Sequence, residues 1–145
     1  MRMLVPVFAV LLAACAAKSA APPDGTPYVE ISNRGSIFGE NITRVYQGDI
    51  LYTSSHEGYP QKSRENWAAG RPGVYEEIAK LAARKGPGVA KRIKKSEFTC
   101  ADYGVDRVEA VPPRGAFHLV TSDCPDPAMS AFMKEVLAVI PRDAP

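Results

Sequence analysis

The side chains with the most reactive chemistry are few and scattered. Three cysteines stand at Cys15, Cys100 and Cys124, and two histidines at His56 and His118. His56-Glu57 joins an imidazole to a carboxylate, the pair that a general base or a metal site draws on. No other histidine or cysteine lies at ligand spacing around it, so the dipeptide reads as part of a solvated loop. A Ser-His-Asp set can be drawn from Ser54 or Ser55 with His56 and Asp102 or Asp106, but no G-x-S-x-G elbow presents a nucleophile. Asp102 and Asp106, with Tyr103 between them, fall short of the roughly six to eight oxygens of a calcium site. No glycine-rich nucleotide loop of the G-x-x-x-x-G-K type is present. These residues predict no catalytic site, no metal and no other cofactor.

Cys15 has a different context. It closes Leu12-Ala13-Ala14-Cys15, which follows Arg2 and an apolar run over residues 4–14. That is a short basic region, an apolar region of signal-peptide length and small residues before a cut. The run is too short to span a bilayer as a helix of about 20 residues. The stretch resembles the lipobox of bacterial prolipoproteins. The resemblance implies cleavage before Cys15, lipid on its thiol and acylation of the new amino group, with the membrane as the protein's first partner. Ala16 and Ala17 stand where an aspartate would retain such a protein in the inner membrane, which implies an outer-membrane anchor facing the periplasm. Lipidation also accounts for an odd number of cysteines in an exported chain. Export to an oxidising compartment then makes a Cys100–Cys124 disulfide the expectation. Two thiolates alone are a poor zinc site.

Composition sets further bounds. Residues 1–14, read as the signal peptide, contain Arg2. Its loss leaves 17 of the 18 basic residues against 16 acidic ones, a net charge of +1. Such a balance gives no overall attraction to nucleic acid. Residues 15–27, small, polar and proline-rich after Cys15, read as a flexible tether. Residues 28–145 are long enough for one modest domain.

Periodicity places the elements within that domain. Residues 28–33 are a strand. Residues 42–46 and 50–54 form a hairpin through Gln47-Gly48-Asp49, and a two-residue loop there puts Val45, Ile50 and Tyr52 on the core face. Residues 55–72 are polar and punctuated by glycine and proline. They read as a long loop, with Ser63 capping one short turn and Trp67 and Tyr59 pinning it to the body. Pro72 opens a helix whose Val74, Ile78 and Leu81 face inward, and Gly86-Pro87 stops it. Residues 105–111 and 116–122 pair across a four-residue turn. That register places Val108, Ala110, Phe117 and Leu119 on the core face, sets His118 opposite Glu109, and leads Cys100 and Cys124 to adjoining strand ends. Asp126-Pro127 caps the last helix, with Met129, Met133, Val136, Leu137 and Ile140 buried. The expectation is an α+β two-layer sandwich: an antiparallel sheet of about five strands in the order β-β-β-α-β-β-α, with two helices on one face.

The densest charge feature is Arg84, Lys85, Lys91, Arg92, Lys94 and Lys95, a patch able to meet an anionic surface. The expected function is therefore a lipid-anchored envelope protein with a small non-enzymatic domain. It would bind a partner protein or an anionic envelope polymer through this patch or the 55–72 loop. The alternative is an envelope hydrolase or metal-dependent enzyme using His56, Glu57 and an aspartate.

Overall fold

The computed structural model describes residues 20–36, 39–57, 62–93, 100, 102–111 and 118–141, with backbone alone at His118 and Leu119. Cys15, residues 1–14 read as the signal peptide, Tyr59, Lys94, Lys95, Phe117 and the expected four-residue turn after Val111 lie outside them.

Six strands and two helices follow in the order β1 (Tyr28–Arg34), β2 (Glu40–Tyr46), β3 (Ile50–Glu57), β4 (Lys62–Ala69), α1 (Val74–Arg92), β5 (Val105–Val111), β6 (His118–Ser122) and α2 (Pro127–Leu137). All the strands form one antiparallel sheet in the order β4-β3-β2-β1-β5-β6. The α+β sandwich expected from the periodicity is the observed architecture, with one strand more. The first strand is central: β1 pairs with β2 on one side and β5 on the other. Both helices lie on one face, over β1, β5 and β6 and reaching β2. The core sits there, with Val29, Ile31, Val45, Leu51, Val108 and Val120 from the sheet. Val74, Ile78, Leu81, Val89, Met129, Phe132 and Val136 meet them from the helices.

The additional strand is β4, which falls within the expected 55–72 loop. Lys62, Ser63, Arg64, Glu65 and Asn66 are exposed, and the first apolar contacts come only at Trp67 and Ala68. With its helix-side face buried only at Ala68, β4 shows no alternation from which a strand can be read. Its charged residues also blunt the sheet edge.

Two hairpin registers differ by one residue from expectation. In β2–β3, Tyr46 pairs with Ile50, so three residues make the connection. Asp49 N–H donates to Tyr46 O at 3.0 Å, closing a turn with Gly48 at φ +90° in the third position; Asp49 follows at φ +62°. Type II turns place a residue of positive φ there, which is why glycine occupies it. The third loop residue shifts the ladder, so Leu51 rather than Ile50 and Tyr52 joins Val45 in the core. In β5–β6, Val108 pairs with Val120 and Ala110 with His118. Val120 is therefore a core residue, and Leu119 stands opposite Glu109 in place of His118. Glu109 instead has Arg107 Nε 3.2 Å from its Oε2, at an angle that makes an ion pair without a hydrogen bond.

α1 does not stop at Gly86-Pro87 but runs through it to Arg92. Pro87 lacks the N–H that would bond the carbonyl four residues earlier, a cost of about 3 kcal/mol. Burial of Val89 in the following turn offsets part of it. A Cβ at Gly86 would lie 3.4 Å from Val120 Cγ2, an ordinary contact distance, so this turn of the helix packs directly on β6. The helix begins two residues after Pro72 and is capped from outside: Asp49 carboxylate oxygens accept from Gly73 N–H at 2.7 Å and Tyr75 N–H at 2.9 Å. Anions favour this end of a helix. α2 has the predicted cap, Asp126 Oδ1 accepting from Ala128 and Met129 N–H. Met129 and Val136 are buried as expected, but Phe132 replaces Leu137 in the core, and Leu137 is 40% exposed. Cys100 and Cys124 are joined, with Cα atoms 5.2 Å apart. At the end of the segment read as a tether, Pro27 is tied to the sheet by a Gln47 N–H bond to its carbonyl, while the Thr26 hydroxyl bonds Pro23 O within the segment. Among the described residues no helix is long and apolar enough to cross a membrane.

Candidate functional site

The pleat sends alternate residues of each strand away from the helices. On β1 these are Tyr28, Glu30, Ser32 and Arg34; on β2 Glu40, Ile42, Arg44 and Tyr46; on β3 Ile50, Tyr52, Ser54 and His56; on β4 Ser63, Glu65, Trp67 and Ala69. This open face carries the densest arrangement of polar and aromatic side chains in the structure.

Its centre is Glu30, 1% exposed. Glu30 Oε1 accepts from Ser32 Oγ at 2.7 Å and Arg34 Nε at 2.9 Å; Oε2 accepts from Arg34 Nη2 at 2.8 Å and Arg44 Nε at 2.7 Å. Burial opposes ionisation, but the bonds from Arg34, Arg44 and Ser32 outweigh it and bring the Glu30 pKa down to about 2. A buried carboxylate is tolerated when its lone pairs are filled in this way. Burial works against the Arg44 charge as well, yet its bonds to Tyr46 and Glu30 hold its pKa above the ordinary arginine value.

Four rings surround Arg44. Its guanidinium lies 5.1 Å from the Tyr28 ring centre and 5.8 Å from that of Tyr52. Tyr46 stands 5.6 Å from Tyr28 and 5.8 Å from Trp67, and Trp67 is 4.6 Å from Tyr52. These separations are those of attractive aromatic pairs, and the guanidinium sits at cation–π distance. All four rings are half-buried. The Tyr52 hydroxyl donates to Glu65 at 3.2 Å. Charge continues toward the strand ends, where Glu40 lies 3.9 Å from both Arg34 Nη1 and His56 Nδ1.

The residues weighed for catalysis do not assemble. His56 is on the open face, and Glu57, next along the strand, is exposed on the other. His56 Nδ1 is buried without a hydrogen-bond partner, as is Ser54 Oγ. Asp106 is on the helix side of β5, with two strands between it and β3, roughly 14 Å of sheet. It is engaged by Asn33 Nδ2 at 2.8 Å and by the Tyr103 hydroxyl, whose pKa rises to about 12 through burial and that bond. Asp102 is exposed in the preceding turn. Among the described residues no group of three or more His, Cys, Asp or Glu side chains is placed to hold a metal.

The basic feature is divided. Arg84, Lys91 and Arg92 are exposed on α1, whereas Lys85 pairs with Glu135 of α2. Trp67 pins β4 to the sheet through Tyr46 and Tyr52. Sequence reasoning missed the Glu30–Arg34–Arg44 cluster and assigned Tyr52 to the core. The available signal was the acid inside an otherwise strand-like Tyr28-Val29-Glu30-Ile31.

In comparisons with known proteins, no family model, no curated protein and no solved structure matches this chain.

Proposed function

We propose that this chain is a lipid-anchored envelope protein whose α+β domain is a binding module, engaging a partner protein through the open face of its sheet. The observation that carries the reading is the cluster of Tyr28, Tyr46, Tyr52 and Trp67 around Arg44. Aromatic rings and arginine dominate the energetically decisive centres of protein interfaces. Here Arg44 is already oriented by Glu30 and ring packing fixes the rotamers, so little side-chain entropy remains to be lost on docking. The charges on this face largely neutralise one another, which favours contact by shape and aromatic area over long-range attraction. The anchor rests on the lipobox-like stretch, and Cys15→Ser would abolish incorporation of labelled palmitate into the protein.

A photo-crosslinking residue at Ala69, exposed on the open face, tests the binding reading in cells. It should yield a discrete adduct that Trp67→Ala reduces at least tenfold while the far-ultraviolet spectrum is unchanged. Adducts from Lys91 and none from Ala69 would replace this reading with contact through the basic side of α1, where Arg84, Lys91 and Arg92 are exposed.

A further inference from the structure

The helix side of the sheet is not covered to its edge. Val45, Leu51 and Ala68 form a buried rung of β2, β3 and β4. The next rung on that side is Thr43, Thr53 and Asn66, and the one beyond is Asn41, Ser55 and Arg64. A face that begins as core thus becomes wholly polar within two rungs, although the second half of α2 and the residues after it stand over it. Between them lies a groove of about 660 Å³, with Met133, Leu137, Ile140 and Pro141 as its wall and Thr43 and Thr53 on its floor. The same two threonines line a hollow of about 330 Å³ that reaches Asn41, Ser55 and Arg64. At its inner end, Ile140 and Pro141 come down to Leu51 and Ala68.

The volume is in the range of small-molecule sites, about 300–1,000 Å³. One wall is apolar and carries Leu137, 40% exposed, one of two large apolar side chains so exposed among the described residues. Arg64 lines the adjoining hollow beyond the threonine floor and Lys134 lies on the α2 wall of the groove, and neither has an ion pair among the described residues. The acid on the wall, Asp106, is occupied by Asn33 and Tyr103. The chemistry is that of an apolar body lying beside hydrogen-bonding groups with a negative end. We propose that the groove binds an anionic single-chain amphiphile, its chain against Met133, Leu137 and Ile140 and its head group passing over Thr43 and Thr53 to Arg64. The site lies on the opposite side of the sheet from the aromatic cluster and does not depend on the partner-binding reading.

The test uses the 145-residue chain with Cys15→Ser, so that no attached acyl chain competes, and a fluorescent anthroyloxy-stearate as the probe. Saturable binding with one probe per chain is expected. Displacement by palmitate identifies a free fatty acid as the source, and displacement by lysophosphatidylglycerol alone identifies a phospholipid product. Arg64→Glu and Leu137→Asp, both at exposed positions, should each weaken binding at least tenfold, and Trp67→Ala should leave it unchanged. The proposal is overturned if binding does not saturate, if both groove variants bind as the parent does, or if uncharged hexadecanol displaces the probe as well as palmitate.

Discussion

Glu30 has almost no contact with water and four hydrogen bonds on two oxygens, three of them from arginine. Its folded-state pKa, about 2, is depressed from the ordinary value of 4.5. A carboxyl depressed on folding contributes stability in full above the unfolded pKa and loses it as pH falls through the folded one. The window here is therefore from about pH 4.5 down to about pH 2. Glu30→Gln should lower the urea midpoint at pH 7, costing about 2 kcal/mol or more because two arginines lose their counter-charge and one of two acceptor oxygens becomes an amide donor. It should also flatten the decline between pH 4.5 and pH 2; an equally steep decline in the variant would place the acid sensitivity elsewhere. Much of this cluster could not be read from the sequence. The alternation of Tyr28, Glu30, Ser32 and Arg34 is visible, but Arg44 reaches Glu30 only once the hairpin register is fixed. That register turns on Asp49 taking a left-handed conformation and counting as a third loop residue. A shift of one residue exchanges the faces of a strand, and with them the assignments of Ile50, Leu51 and Tyr52.

Among the elements, α1 and β4 are the two that departed from their local signals. Gly86-Pro87 carries a strong stop signal, yet the helix continues because Val89 still has a core to enter. Tertiary burial overrode local preference. Pro87 is exposed, so Pro87→Ala should restore a helical hydrogen bond without disturbing packing and stabilise the domain by about 1–3 kcal/mol. An unchanged or lower melting temperature would mean that the helix needs the proline's geometry to seat Val89. β4 failed for the opposite reason. Its pairing with β3 is backbone chemistry, and only Trp67 and Ala68 among its side chains are not exposed. Elements with a clear buried stripe were legible: β1, β5, the first half of α1, and α2 with its Asp126-Pro127 start. The two proposed surfaces were not, since each joins side chains from separate elements: β1 to β4 for the aromatic cluster, and α2 with β2, β3 and β4 for the groove.

At the scale of the molecule, the sheet order and the disulfide divide the work of holding the fold. Cys100 and Cys124 are separated by 24 residues and enclose β5 and β6. Closing a loop of that size in the unfolded chain is worth about 3 kcal/mol. Reduction, or Cys100→Ser with Cys124→Ser, should lower the denaturant midpoint accordingly while leaving the open face of β1–β4 intact. Loss of the Ala69 adduct on reduction would show that the two halves of the sheet are not independent. The α+β layering was readable from two hairpin-like regions each followed by a helical stripe, because layering depends on periodicity alone. Strand order was not, because it depends on which edges remain to be paired.

The central position of β1 has a mechanical consequence. A pull along the segment before Tyr28 enters the middle of the sheet, where β1 is held by antiparallel ladders on both sides. Force in that direction loads the rungs of both ladders together in shear, whereas a pull on an edge strand breaks them one at a time. A domain tethered at this end and gripped across its open face would bear tension between membrane and partner along its strongest axis.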